Sequence, residues 1–381
     1  MRPGHLSQYF DGVALKRLSA VEVSPDASNQ HEFNGVTALR AVLGDERRTF
    51  DARFLYLSDI EERSAIADAS VTWYDARERH PSRSEHRLYF PTTSVSELAR
   101  EGDLFVLAKR HEGPLLVAIA QAGSSAERQL VWLFQAPETS QTFSAKTVTG
   151  PSDTELGVAA RFILDSLGID VVESDDAMLA AVLKRFPPGF PTTRQFSSYA
   201  RDSLTGVSSL DDPDIALLAW MDREEKLFRL LERHLVKDRL RAGFGDDVDG
   251  FIDFSLGVQN RRKSRAGHAL ENHLEQIFIQ HHVRYARGEV TENRNKPDFL
   301  FPGIVEYRNA AFPSASLTML GAKSTCKDRW RQVLAEAARI QEKHLLTLEP
   351  GISENQTAEM QVHKLRLVVP AGLHNTYTEA Q

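Results

Sequence analysis

Between Arg265 and Lys343 four residues stand where chemistry could use them: Glu271, Asp298 directly after Pro297, Lys323, and Glu336. Carboxylate oxygens are the ligands that hard divalent cations prefer. A cation so held polarises a phosphate and lowers the pKa of a bound water, and a neighbouring lysine can hold that water and stabilise the growing negative charge. Together these residue types suit hydrolysis of a phosphodiester. Taken singly, each has a plainer reading. Asp298 would cap a turn at a strand entrance and Lys323 would be a surface residue at a strand end. Glu336 would face solvent from a helix, and Glu271 would border the apolar stripe of Leu270, Leu274, Ile277 and Phe278.

The elements that must position them can be read from the pattern. DFLFP and SLTMLGAKS are apolar, strand-like stretches, so Asp298 opens one strand and Lys323 ends another. This order resembles the outline of the PD-(D/E)xK nuclease core. That core usually has an acidic residue two before the lysine, on the same side of the strand. Gly321 occupies the position here, so a second carboxylate has to come from elsewhere. The segment KDRWRQVLAEAARIQEKH reads as one helix, with Arg329, Val333 and Glu336 on one face at i, i+4 and i+7. Along such a helix Arg329 and Glu336 would be about 10 Å apart, so its start could meet DNA while Glu336 reaches the cation. RAGHALENHLEQIFIQHH is a second helix and carries Glu271.

The chain of 381 residues is long enough for two cores. Its net charge of −7 excludes a protein that coats nucleic acid through bulk positive field, so any contact with DNA is local. Basic residues gather at Arg77–Arg87, at RRKSR (Arg261–Arg265) and at Lys323–Arg331. A lone cysteine, Cys326, permits no internal disulfide and fits a reducing cytoplasm. No apolar run suggests a membrane span, and MRPGHLSQYFDG does not read as a secretory leader. The histidines His268, His273, His281 and His282 lack the cysteine or acidic spacing of a zinc set.

Up to about residue 135 the chain reads as short strands, RFLYLSD, SVTWYDA, HRLYFP, DLFVLAKR, LLVAIAQ and LVWLFQ, which suggests a small barrel or sandwich. APETSQTFSAKTVTGPSDTE reads as a loop, and helical periodicity begins after Glu155. Helices flanking a few strands then indicate an α/β domain.

RRKSRAGHALENHLEQIF, KPDFLFPG, LGAKSTCKDRWRQVL and RLVVPAGLH resemble the EcoRII family of restriction endonucleases, strongly from about Ala242 to His374 and faintly elsewhere. The resemblance implies a mostly β N-terminal pseudobarrel (1–168), a linker (169–183) and a nuclease domain with a mixed sheet flanked by helices (184–381). It implies that Asp298 and Glu336 bind Mg²⁺, that Lys323 acts on the water, and that Glu271 is a further acidic member. Lys327, Asp328 and Arg329 would read G·C pairs, with Arg262 and Arg265 also at the DNA. Arg and Lys can donate to guanine, and Asp can accept from cytosine. Lys16, Arg17, Arg77, Arg83, Glu85, His86 and Arg87 would hold a second DNA copy at the N-terminal domain, which restrains the nuclease. The implied target is the CCWGG class, cut by a homodimer in a cell protected by a companion methyltransferase. Two rivals stand beside this reading: a non-catalytic DNA-binding regulator, and a repair nuclease on the same core.

Overall fold

The computed structural model describes residues 5–23, 32–80, 83–136, 140–148, 156–171, 175–186, 189–379 and 381, leaving out the side chain of Asp328. The chain divides into two compact units, one of Met1–Ile169 with Pro350–Gln356 and Gln381, the other of Asp170–Glu349 with Thr357–Ala380. No helix among the described residues is long and apolar enough to cross a membrane.

The first unit is built on a sheet of β1 (Phe10–Arg17), β2 (Glu32–Gly35), β3 (Arg48–Leu57), β4 (Ala65–Asp75), β5 (His86–Tyr89), β6 (Leu104–Arg110), β7 (Leu115–Ala120) and β8 (Ser144–Thr147). The spatial order is β2-β5-β4-β3-β7-β6-β1-β8. All neighbours are antiparallel except β3 and β7. The sheet curls into a half-barrel. Phe33 on edge strand β2 lies 5.8 Å, ring to ring, from Phe143 just before the opposite edge strand β8. Trp73, Phe54, Phe105 and Leu88 fill the concave side. The helices here are α1 (Ala20–Val23), α2 (Thr37–Leu43), α3 (Ser94–Leu98), α4 (Ser125–Leu133) and α5 (Val158–Ser166).

Two expectations fail in this unit. LVWLFQ lies mostly in α4, not in a strand, because Ser124 caps the helix by accepting from the Glu127 amide while Leu130 and Leu133 turn into the core. A short apolar run is ambiguous by period alone, and the cap decides it. The segment read as a loop contributes β8, which completes the sheet beside β1.

The second unit opens with α6 (Asp176–Arg185), α7 (Thr193–Asp202), α8 (Pro213–Ala242) and α9 (Val248–Gln280). Most of α6 falls in the stretch expected to be linker. Its Val182 packs with Phe196, Leu227, Phe228 and Leu231, so the segment belongs to a core. Asp212 caps α8 with Pro213 following, and Asp247 caps α9. The sheet has the order β13-β12-β11-β10-β9, made from β9 (Ala286–Arg287), β10 (Phe299–Phe301), β11 (Thr318–Lys323), β12 (Lys343–Thr347) and β13 (Leu365–Val368). β9, β10 and β11 run antiparallel, whereas β11, β12 and β13 are parallel. Three shorter helices follow the strands: α10 (Ile304–Arg308), α11 (Trp330–Leu334) and α12 (Glu354–Val362).

The helix expected over Lys327–His344 is a correction. Lys327–Arg329 form a 3-10 turn, α11 ends at Leu334, and the chain then turns into β12. Glu336 therefore sits on a turn, not on the face of a two-turn helix shared with Arg329.

Candidate active site

Asp298, Lys323 and Glu336 come together at the mouth of the second sheet. Phe299 pairs with Leu320 across the antiparallel β10–β11 ladder, which sets the preceding Asp298 beside the end of β11. Its Oδ2 accepts from the Ala322 amide at 2.7 Å and from Lys323 Nζ at 2.8 Å. Side chains alternate along β11, so Lys323 faces the same side as Gly321. On that side a Cβ built at Gly321 would lie 3.0 Å from Val333 Cγ2, so the packing of α11 takes the space an acidic side chain would need.

Glu336 arrives on the chain three residues beyond Val333. Its turn is held from both sides: Asn295 Nδ2 donates to the Ala335 carbonyl at 2.7 Å, and the Ala338 amide donates to Glu292 Oε2 at 3.3 Å. Between them Ala337 takes a φ of 46°, a region that non-glycine residues seldom occupy. The Glu336 Oε2 is buried and has no hydrogen-bond partner among the described residues. Burial, then the charge of Asp298, pushes its pKa up to about 7, against the opposing pull of Lys323 and Lys343. Two carboxylates thus converge, one of them with an oxygen withdrawn from water and lacking a hydrogen-bond partner. That is the condition a cation would relieve.

No group of three or more His, Cys, Asp or Glu among the described residues is placed to hold a metal. Mg²⁺ does not require one, because it is commonly bound by one or two carboxylates together with waters and phosphate oxygens. The pair Asp298 and Glu336, with its orphaned oxygen, fits such an ion.

Glu271 stands apart from this pair. It accepts from Arg287 Nη2 at 2.8 Å and lines an open cleft with His268, Glu275, Tyr285 and Arg287. Arg287 also pairs with Glu275 and is in register with Phe299, so Glu271 is linked to the Asp298 strand through the guanidinium. Two residues near the site escaped the sequence reading. Lys343 Nζ donates to the Leu334 carbonyl at 2.7 Å, and burial lowers its pKa against the pull of Glu336 and Glu292. Buried Glu349 accepts from the amides of Cys326 and Lys327, the latter at 3.3 Å, and so anchors the 3-10 turn that carries Lys327 and Arg329. The apolar run LLTL between them is a strand signal that could have shown both.

Lys327 is half-buried, Arg329 is exposed, and the side chain of Asp328 lies outside the described residues. Several of the expected DNA contacts are engaged in ion pairs. Arg265, 7% exposed, is bound to Glu224 at 2.8 Å and Glu225 at 2.6 Å, and Arg262 is bound to Glu232 at 2.6 Å. Both arginines neutralise buried carboxylates, and Arg262 keeps part of its side chain exposed. In the first unit Lys16 is buried against Glu22 at 2.5 Å, and Arg17 is engaged by Glu127 and the Gly102 carbonyl. His86 is buried, bonded to the Asp45 carbonyl and stacked on Trp73. Glu85 bridges Arg77 at 2.6 Å and Arg87 at 2.7 Å, and Arg83 is exposed.

Residues 228–381 match the family model described as EcoRII C terminal. Over 198 residues the chain is 47% identical to the Type II restriction enzyme EcoRII of Escherichia coli, a match covering 51% of this chain and 47% of that relative. Among solved structures, metal-depleted Ecl18kI with uncleaved, modified DNA is 21% identical over 52% of this chain and 75% of that one, at a TM-score of 0.42. The PspGI restriction endonuclease with substrate DNA is 17% identical over 51% and 81%, at a TM-score of 0.40. The chain spans about half the length of that curated relative, and the family match falls on its C-terminal region, residues 228–381.

Proposed function

We propose that this chain is a Type II restriction endonuclease that cuts double-stranded DNA at a short specific site by Mg²⁺-dependent hydrolysis. The observation that carries the reading is the buried, partnerless Glu336 Oε2 in the company of Asp298 and Lys323. Asp298 and Glu336 would hold Mg²⁺, which when bound would supply a Lewis acid for the phosphate and lower the pKa of a water. The protein's own part is positional. Asp298 is fixed by the Ala322 amide and Glu336 by its pinned turn, so neither carboxylate has to be ordered when DNA arrives. Lys323 holds the attacking water and stabilises negative charge as the phosphorus–oxygen bond forms. The products carry a phosphate on one side of the cut and a hydroxyl on the other. Glu271 orients Arg287 behind the Asp298 strand and enters the site as an additional acidic member.

Lys327, Asp328 and Arg329 read G·C pairs in a site of the CCWGG class, cut before the first cytosine, as the likeness to EcoRII suggests. Two copies of the chain act together, one per strand, since a near-palindromic site matches a two-fold axis. The first unit holds a second DNA copy, with exposed Arg83 and the Arg77 network as its contacts, and restrains cutting. A partner methyltransferase protects the host DNA.

Incubating the purified chain with plasmid and Mg²⁺ and sequencing the ends tests this directly. Discrete fragments with one shared end sequence support the reading. Nicks confined to damaged DNA, or no cutting at all, overturn it.

A further inference from the structure

α11 ends two residues before Glu336, and the way it ends decides where that carboxylate goes. The last carbonyls of a helix have no partner inside it. Here the Ala335 amide donates to Gln332 and Val333, and the Glu336 amide donates to Val333 at 3.2 Å. The next two carbonyls are taken by side chains from other segments. Lys343 Nζ donates to Leu334 and Asn295 Nδ2 to Ala335, both at 2.7 Å.

The sheet places Lys343 for this contact. It opens β12 in register with Leu365 of β13, and Leu345, two residues on, is in register with Gly321 of β11. A Cβ built at Gly321 would meet Leu345 Cδ1 at 3.5 Å, so Leu345 is turned to the face that α11 covers. Strand alternation turns Lys343 to that face too. A cation at the end of a helix is ordinary on a surface, where it keeps its water. Lys343 is only 9% exposed, and its charge reaches Glu336. Burying an ammonium is costly, so its place beside the carboxylates needs more than a helix cap to explain it.

We propose that Lys343 is a positioning residue for the Mg²⁺ site: by holding the Leu334 carbonyl it fixes the turn that aims Glu336 at the cation. In this role it acts only through Glu336, and the inference rests on the Mg²⁺ reading given above. Position and charge make opposite predictions. Removing a cation from beside two carboxylates strengthens their attraction for Mg²⁺, whereas releasing the turn weakens their grip on it.

Thermal unfolding of the full chain against Mg²⁺ concentration, without DNA, tests it, since a cation that binds the folded state raises Tm. Lys343→Met keeps the apolar stem and loses the donor, while Lys343→Gln loses the same charge and keeps a donor. In Lys343→Met the Mg²⁺ concentration at half the Tm rise increases about 10–100-fold, the scale for a residue that orients a metal ligand. In Lys343→Gln it stays near the wild-type value. A merely structural cap would lower Tm in chelator and leave that midpoint where it was. A Lys343→Met midpoint that is unchanged, or moved to lower Mg²⁺, therefore overturns the role, and so does a Lys343→Gln chain whose midpoint rises with it. Should Lys343→Met fail to fold, Lys343→Gln still decides: a midpoint near wild type supports the role, and a raised one overturns it. A wild-type chain whose Tm ignores Mg²⁺ overturns the metal reading as well, whereas the other failures leave that reading standing.

Discussion

Glu224 and His273 are fully buried between α7, α8 and α9, and Glu336 is also withdrawn from water, yet the two places treat charge in opposite ways. Around Glu224 every sign has its opposite. Arg265 binds it at 2.8 Å, His273 Nε2 lies 2.9 Å away, and Arg201 bonds His273 Nδ1 at 3.1 Å. A guanidinium can only donate, so Nδ1 accepts and the imidazole proton sits on Nε2, toward Glu224. Burial lowers the His273 pKa against the pull of Glu224, which agrees with a neutral ring. Around Glu336 the nearest carboxylate is another acid, Asp298, whose own cationic partner is Lys323. Glu224 Oε2 and His273 Nε2, like Glu336 Oε2, make no well-aligned hydrogen bond, but Glu224 is paired directly with a guanidinium and Glu336 is not. A carboxylate set close to a second one in a desolvated place marks function more sharply than a buried ion pair alone.

Removing one partner should break the two clusters in different currencies, and the largest effect falls on the helical one. Arg265→Ala leaves Glu224 buried without its main counter-ion, so stability should fall by about 3–5 kcal/mol in urea unfolding, while the folded fraction still cuts DNA. Lys323→Ala should do the reverse. Stability and DNA binding persist while the single-turnover cleavage rate drops about 10²–10³-fold, the scale of losing one charge-stabilising group. If Arg265→Ala abolished cutting in the folded fraction, or Lys323→Ala cut at the wild-type rate, the division between the clusters would collapse.

A smaller effect separates reading from chemistry within the sheet-mouth region. Arg329 is exposed on the 3-10 turn anchored by Glu349 and lies outside the buried pair. Arg329→Ala should cost about 1–3 kcal/mol of discrimination at one G·C position, measured as cleavage of the cognate site against single-base variants. An unchanged preference would remove Arg329 from the reading set.

What the amino-acid order disclosed and what it concealed divide along similar lines. Asp298 and Lys323 were legible because they punctuate apolar strands, and strand alternation fixes which way Lys323 faces. The turn at Glu336 was not, since Leu-Ala-Glu-Ala-Ala favours helix. The contacts that end the helix come from Asn295 and Glu292, some 40 residues earlier. Separations of 30 and 41 residues hid the pairing of Arg262 with Glu232 and of Arg265 with Glu224, so the ion pairs within this basic run could not be read locally. In the half-barrel, the short strands around Trp73 were visible by composition. The burial of Lys16 and His86 depended on the curl of the sheet, which no local pattern records.

The last contrast is in pH. Folded Glu336 has a pKa pushed up to about 7 from the ordinary 4.5, so in metal-free protein the native state keeps a proton that the unfolded chain has already released. Where the native state binds more protons, stability falls as pH rises. The contribution of Glu336 should therefore be most favourable near pH 4.5, decline through pH 7 and level off above it. Thermal unfolding in chelator at a series of pH values, wild type against Glu336→Gln, isolates it, because other titrating groups are common to both. The Tm difference between the two should shift in favour of Glu336→Gln across that window, and Mg²⁺ should raise the wild-type Tm at pH 8 while leaving the variant nearly unmoved. A difference that is flat with pH would mean that Glu336 is solvated like an ordinary surface carboxylate, and the contrast with Glu224 would then have no energetic content.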